Sequence, residues 1–181
     1  YETLGEFYNK HSNGKNTYEC HYVGSEEIGK TDLLNDHMND VDLVFTSPPY
    51  FDRELYSDDD EQSCIKYPNY DEWLDKFLHP TLETSFNLLQ RERYMLINIA
   101  DIKIEENRFL PLEQDTIQIA LKIGFKFKGK IGMVMTRMVG LKPNHSKNYW
   151  VDTKTNTTYK IEPILIFKKI VEYPWDEGID E

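Results

Sequence analysis

Cysteine is scarce in this chain: 181 residues hold two, Cys20 and Cys64. Two isolated thiols make neither a disulfide framework nor a zinc-type spacing, so a reducing, cytoplasmic setting is the expectation. No apolar run approaches the ~20 residues that a membrane-spanning helix needs, and no membrane partner is expected. The nine glycines are scattered, as at Gly5, Gly14, Gly24 and Gly29, and nowhere form a glycine-rich loop. The acidic run Asp58-Asp59-Asp60-Glu61 lacks the ligand spacing of a calcium loop and reads as solvated surface. Net positive charge is missing as well, the formal balance being −11.

That last absence is uneven along the chain. Residues 1–70 hold five Lys/Arg against fifteen Asp/Glu, whereas residues 124–170 hold ten against two. A basic segment of this kind is what neutralising phosphates requires, and the overall charge is a poor guide to it.

At this length the chain is one domain in size and can bury a sizeable core. No internal repeat or low-complexity linker divides it. Helical and extended patterns alternate, which argues for a parallel α/β sheet. A short helix is expected over 2–12, with Leu4, Phe7 and Tyr8 on one face. Strands are expected at 18–23 and 41–46, with a helix or helical turn over 26–38 between them. A polar loop follows over 51–68. Asn69 then caps a helix with Glu72 in the capping-box position. Trp73, Leu74, Phe77, Leu78, Leu82, Phe86 and Leu89 carry its apolar stripe, and Pro80 inside the run predicts a kink. Residues 94–99 read as a central strand covered on both faces. A helix over 110–123 should face Leu112, Ile117, Ala120 and Leu121 inward. Long strands at 126–138 and 160–171 lack a helix between them, so they should pair antiparallel.

The most informative segment is Thr46-Ser47-Pro48-Pro49-Tyr50, directly after the apolar run 41–45. In open α/β sheets ligands bind outside the carboxyl ends of the strands. Two prolines stiffen the turn and remove two backbone donors, leaving carbonyls to face a ligand. With the Ser47 hydroxyl and the flat ring of Tyr50, the set suits a planar base bearing an exocyclic amino group. Phe51 could wall such a pocket or join the core.

Ser47-Pro48-Pro49-Tyr50 resembles the signature of the DNA amino-methyltransferases that modify N4 of cytosine or N6 of adenine: Asp, Asn or Ser, then Pro-Pro, then Tyr or Phe. Segments 70–74, 94–101 and 162–169 resemble that family's following helix, fifth strand and last strand, so the likeness covers most of residues 18–170. It implies a Rossmann-like methyltransferase fold, mostly parallel with a terminal antiparallel hairpin strand, and S-adenosylmethionine as methyl donor. DNA is the implied partner, and Ser47, Pro48, Pro49 and Tyr50 the implied catalytic residues. Serine in the first position favours N4-cytosine, with N6-adenine as the alternative. An RNA amino-methyltransferase and a silent DNA-binding or scaffold module remain open, as does a place in a restriction-modification system. By position, Ser25 and Glu26 are implied to contact the cofactor's adenine. The basic and aromatic segment 136–150 is a candidate DNA reader through Arg137, Lys142, Asn144, His145 and Lys147, with Tyr149 or Trp150 able to stack. Asp101 falls on the ligand side of the sheet. No Pro-Cys nucleophile of the cytosine-C5 type is present. The family's glycine-rich cofactor loop is also missing, and the first clear strand resembles the family's third. Residues 1–181 are therefore expected to be one incomplete catalytic domain, its first strands lying upstream.

Overall fold

The computed structural model describes residues 14, 19–53, 60–105, 108–135, 149–155 and 157–170. The expected helix over 2–12 lies outside them. After a 3₁₀ turn at Ile28–Lys30 come α1 (Asp32–Asp36), β1 (Val41–Thr46) and α2 (Ser63–Lys66). Next, α3 (Tyr70–Trp73), a π-helical turn (Leu74–Leu78) and α4 (His79–Leu88) run into β2 (Leu89–Asn98). A small hairpin, β3 (Ile102–Glu105) and β4 (Arg108–Leu110), precedes α5 (Leu112–Ile123). Strands β5 (Phe125–Val134), β6 (Tyr149–Asp152) and β7 (Thr157–Lys169) complete the order.

The main sheet runs β1-β2-β7-β5, with β6 paired to β7. Strands β1 and β2 are parallel, while β7 is antiparallel to both β2 and β5. It follows that β1, β2 and β5 point one way and that β7 is inserted among them in reverse. The expected α/β architecture, with its antiparallel final strand, is therefore present. The hairpin β3–β4 was not foreseen. Nor was the strand expected at 18–23 found: residues 19–23 are irregular, and Tyr22 is almost fully exposed.

The helices pack on the sheet face that carries Met95, Ile97, Leu165 and Phe167, all wholly buried together with Leu82, Leu112 and Ala120. Each such large side chain contributes about 1.5–3 kcal/mol by leaving water. The register puts Leu43, Phe45 and Tyr94 on the opposite face, where they are 53%, 60% and 40% exposed. Strand β1 is thus not the buried strand that its apolar run predicts. It lies at the edge of the described sheet, with one face covered.

Local signals explain the helical layer. The Asn69 side chain accepts from the backbone N–H groups of Asp71 and Glu72, at 2.9 and 3.2 Å, satisfying two orphan donors of α3. Pro80 does not break the helix. It falls in the first turn of α4, directly after the π turn, a position where proline is tolerated. In α5, Leu112 and Ala120 face inward as expected, but Leu121 is 44% exposed and Thr116 takes the buried place. Thr116 can do so because its hydroxyl donates to the Leu112 carbonyl at 2.7 Å. Gly124, at φ 119°, ends α5 in the left-handed conformation that glycine adopts without penalty.

Candidate active site

Strand β1 ends at Thr46, which pairs with Ile97 of β2, so Ser47-Pro48-Pro49-Tyr50 emerges at the carboxyl edge of two parallel strands. This is the edge expected to hold a ligand. Ser47 is exposed, Pro48 is buried, and Pro49 and Tyr50 are half-buried. The turn closes with the Arg53 N–H donating to the Tyr50 carbonyl at 3.1 Å. The Arg53 guanidinium also donates to the Lys103 carbonyl, tying the turn to the hairpin β3–β4.

Phe51 belongs to the core rather than to a pocket wall. It is 8% exposed and meets Tyr70 and Trp73 edge-on, at centroid distances of 5.4 and 5.8 Å. Its φ of 49° is left-handed, which costs a non-glycine residue about 1–2 kcal/mol. Packing of the ring holds that conformation in place. Behind it, the Tyr70 hydroxyl donates to Asp115 at 2.8 Å. Burial, reinforced by the Asp115 carboxylate, raises the Tyr70 pKa far above the ordinary phenol value, so this ring stays neutral.

One residue without an assigned role in the sequence reading joins the motif. Asn98, the last residue of β2, is 5% exposed. Its Oδ1 accepts from the Ser47 hydroxyl at 3.4 Å and from the Tyr50 hydroxyl at 3.2 Å. Its Nδ2 donates to the Pro163 carbonyl of β7 at 3.2 Å. A polar residue closing the apolar run 94–97 was the available signal, since a buried amide at a strand's end needs partners.

Ser25 and Glu26 lie before the 3₁₀ turn. The Ser25 and Thr81 hydroxyls are hydrogen-bonded at 2.9 Å, and Glu26, 5% exposed, faces the Lys66 ammonium at 3.5 Å. Their described contacts are with α4 and α2 rather than with the motif. Among the described residues no glycine cradle stands beside them: a Cβ on Gly24 would meet the Glu26 carboxylate at 2.6 Å, so that space is already filled. The described residues do not by themselves form a complete site for the methyl donor. Asp101 acts as a helix cap, its Oδ1 accepting from the Glu113 N–H of α5 at 3.0 Å.

Arg137, Lys142, Asn144, His145 and Lys147 lie outside the described residues. Trp150, on β6, stacks on Tyr159 at 5.7 Å and keeps 47% of its surface exposed. The basic segment is less available than its composition implies. Lys130 pairs with Glu113 and Lys160 with Glu162, at 2.8 and 2.7 Å, while Lys168 pairs with Glu92. Lys169 is buried. An open cavity of about 340 Å³ lies elsewhere, between the helices, lined by Asp71, Asp75, His79, Asp115 and Lys122 among others. Its three carboxylates give it the wrong sign for phosphate. Among the described residues no cluster fit for a metal ion occurs, and no helix is long and apolar enough to cross a membrane.

The type II methyltransferase M.MjaVI of Methanocaldococcus jannaschii is 29% identical over 109 residues, spanning 59% of this chain and 50% of that protein. Two crystal structures of TTHA0409, a candidate DNA modification methylase of Thermus thermophilus, share the fold. One, with TM-score 0.55 and 21% identity, covers 87% of this chain and 56% of that one. The other, complexed with S-adenosyl-L-methionine, has TM-score 0.54 and 23% identity over 87% of this chain and 55% of that one. The chain spans about half the length of these relatives. The profile of the N6/N4 DNA methylase family matches residues 41–178, from the first residue of β1 through the motif and the last strand, and the chain belongs to that family.

Proposed function

We propose that this chain forms the base-accepting part of an S-adenosylmethionine-dependent methyltransferase acting on an exocyclic amino nitrogen of a DNA base. The observation that carries the reading is an exposed Ser47 hydroxyl at the carboxyl edge of β1, hydrogen-bonded from within, in a chain of the DNA methylase family. The donor would supply an activated methyl group. What this chain's residues supply is the acceptor chemistry. An exocyclic amine is a poor nucleophile because its lone pair is delocalised into the ring. The Ser47 hydroxyl and the Pro48 carbonyl would accept its two N–H bonds, favouring a pyramidal nitrogen whose lone pair is free to attack. No covalent enzyme intermediate is needed.

The base must leave the duplex to reach this edge, at a cost of a few kcal/mol. Stacking on Tyr50, worth ~1–3 kcal/mol, offsets part of it. Ser25 and Glu26 remain the candidate contacts to the cofactor's adenine, and residues 137–147 the candidate DNA reader. Serine in the first motif position favours N4 of cytosine over N6 of adenine.

The test is transfer of labelled methyl from S-adenosylmethionine to DNA by the intact protein that carries this chain. Mass spectrometry of the digested DNA should find N4-methylcytosine. N6-methyladenine instead would overturn the base preference alone. Label in RNA only would replace the substrate, and no transfer with retained DNA binding would favour the silent module.

A further inference from the structure

We propose that Asn98 makes the site read an amino group and reject an oxo group, by fixing the direction of the Ser47 hydroxyl. The inference rests on the amino-methyltransferase reading above. A serine hydroxyl is ambiguous: it donates one proton and accepts on two lone pairs, and its hydrogen rotates to suit the partner. With a free rotor, Ser47 would greet the amino group of cytosine or adenine and the carbonyl oxygen of uracil or hypoxanthine equally well.

Asn98 removes the ambiguity. Its Oδ1 accepts the Ser47 proton at 3.4 Å and the Tyr50 proton at 3.2 Å. The amide itself cannot turn over. Its Nδ2 donates to the Pro163 carbonyl at 3.2 Å, and the flipped orientation would set two oxygens against each other there. Asn98 is buried at the meeting of β2 and β7, so its Oδ1 has little water to accept from in place of the two hydroxyls. Ser47 therefore turns its proton inward and its lone pairs outward, and it is the exposed member of the pair. Lone pairs meet an N–H with a hydrogen bond and an oxo oxygen with repulsion. Asn98 does not reach the base; it is a positioning residue that sets specificity through Ser47.

The experiment uses the intact protein. Its modified sequence is first read from the methylation pattern of host DNA. Duplexes are then made with the target base in its amino form, or in the matching oxo form (uracil for cytosine, hypoxanthine for adenine). The readout is the ratio of the two Kd values. The wild type should prefer the amino duplex, and Asn98→Leu should lower that ratio at least about tenfold, because sites built on directed hydrogen bonds discriminate strongly. A purely structural role would weaken both duplexes alike and leave the ratio unchanged. Ser47→Ala should lose the same discrimination, and adding Asn98→Leu to it should lose no more. The fold should tolerate Asn98→Leu, since the Pro163 carbonyl still receives the Ile99 N–H at 3.2 Å.

Asn98→Asp gives a second arm. Its carboxylate can only accept, and its protonated form can donate to Pro163 and accept from both hydroxyls, so either form should hold the Ser47 proton inward as the amide oxygen does. The amino preference should therefore survive in Asn98→Asp while it is lost in Asn98→Leu. An unchanged ratio in Asn98→Leu, or a ratio lost in Asn98→Asp as fully as in Asn98→Leu, overturns the proposal while leaving methylation intact. A wild type that methylates no nucleic acid overturns the reading beneath it as well.

Discussion

Phe51 and Trp73 meet edge-on with their ring centroids 5.8 Å apart, and this contact joins the residue directly after the motif to the centre of the core. Trp73 is wholly buried, and its indole N–H donates to Ser63 Oγ at 3.1 Å. The Ser-Pro-Pro-Tyr turn is thus positioned by an aromatic cluster as well as by its own prolines. A stiff turn needs such an anchor, because a mobile one would lose the geometry on which reaction rates depend.

Removing the anchor should cost stability and activity together. Phe51→Ala is expected to destabilise by about 3–5 kcal/mol, the usual range for a buried phenylalanine. The left-handed φ of 49° adds an unusual ranking: Phe51→Gly should be no less stable than Phe51→Ala, since glycine relieves the backbone strain. Urea denaturation of the three proteins checks this. A glycine variant clearly weaker than the alanine one would show that the backbone there is unstrained.

Lys169 offers a test far from the motif. Its ammonium, buried at the end of β7, donates to Asn39 Oδ1 and to the carbonyls of Phe86 and Leu89, at 2.8, 2.7 and 2.8 Å. It caps the carboxyl end of α4, where a cation is favoured by the helix dipole. Lys169→Met should destabilise by about 1–3 kcal/mol, because buried acceptors lose their donor.

Burial lowers the Lys169 pKa below the ordinary lysine value of 10.5. The native state therefore releases its proton before the unfolded state does. Stability contributed by wild-type Lys169 should rise with pH across the window from the lowered pKa up to 10.5, and be least below that window. The stability gap between wild type and Lys169→Met, measured by denaturation at successive pH values, should widen upward. A gap that narrows would reverse the sign of the burial effect.

The motif, the strand before it, the Asn69 cap and the antiparallel final strand were legible because each rests on local chemistry or short-range alternation. What escaped the sequence depends on distant partners. The run 19–23 alternates but pairs with no described strand, and β1 is apolar yet half exposed. The π turn before Pro80 and the hairpin β3–β4 are responses to packing that periodicity does not encode. Asn98 stood in plain view at the end of an apolar run. Its role became visible only once β2 and β7 brought it beside Ser47, Tyr50 and Pro163.

The helix cap should behave as an independent module. Asn69→Ala removes the side-chain acceptor from two N–H groups and should cost about 0.5–2 kcal/mol. Asn69→Asp or Asn69→Ser should keep most of the stability. Thermal melts of the three variants decide the point, and an alanine variant as stable as the wild type would mean that solvent satisfies those donors equally well.

The sharpest test of the turn separates its residues by kinetic parameter. Tyr50→Ala in the intact protein should weaken capture of the flipped base while leaving affinity for S-adenosylmethionine nearly unchanged, because the ring is assigned to the base. Loss of one base stack is worth ~1–3 kcal/mol, or roughly 5- to 150-fold in kcat/KM. Tyr50→Phe keeps the stacking face and loses the hydrogen bond to Asn98, about 1 kcal/mol, so its loss should be several-fold. Ser47→Ala should act mainly on kcat, since its hydroxyl matters most as the nitrogen becomes tetrahedral. All three should stay folded, because the turn lies outside the strands and its core anchor is the neighbouring Phe51. Steady-state kinetics with DNA, alongside calorimetry with the cofactor, gives each parameter separately. Full activity in Tyr50→Ala and Ser47→Ala would reduce Ser-Pro-Pro-Tyr to a turn without catalytic function.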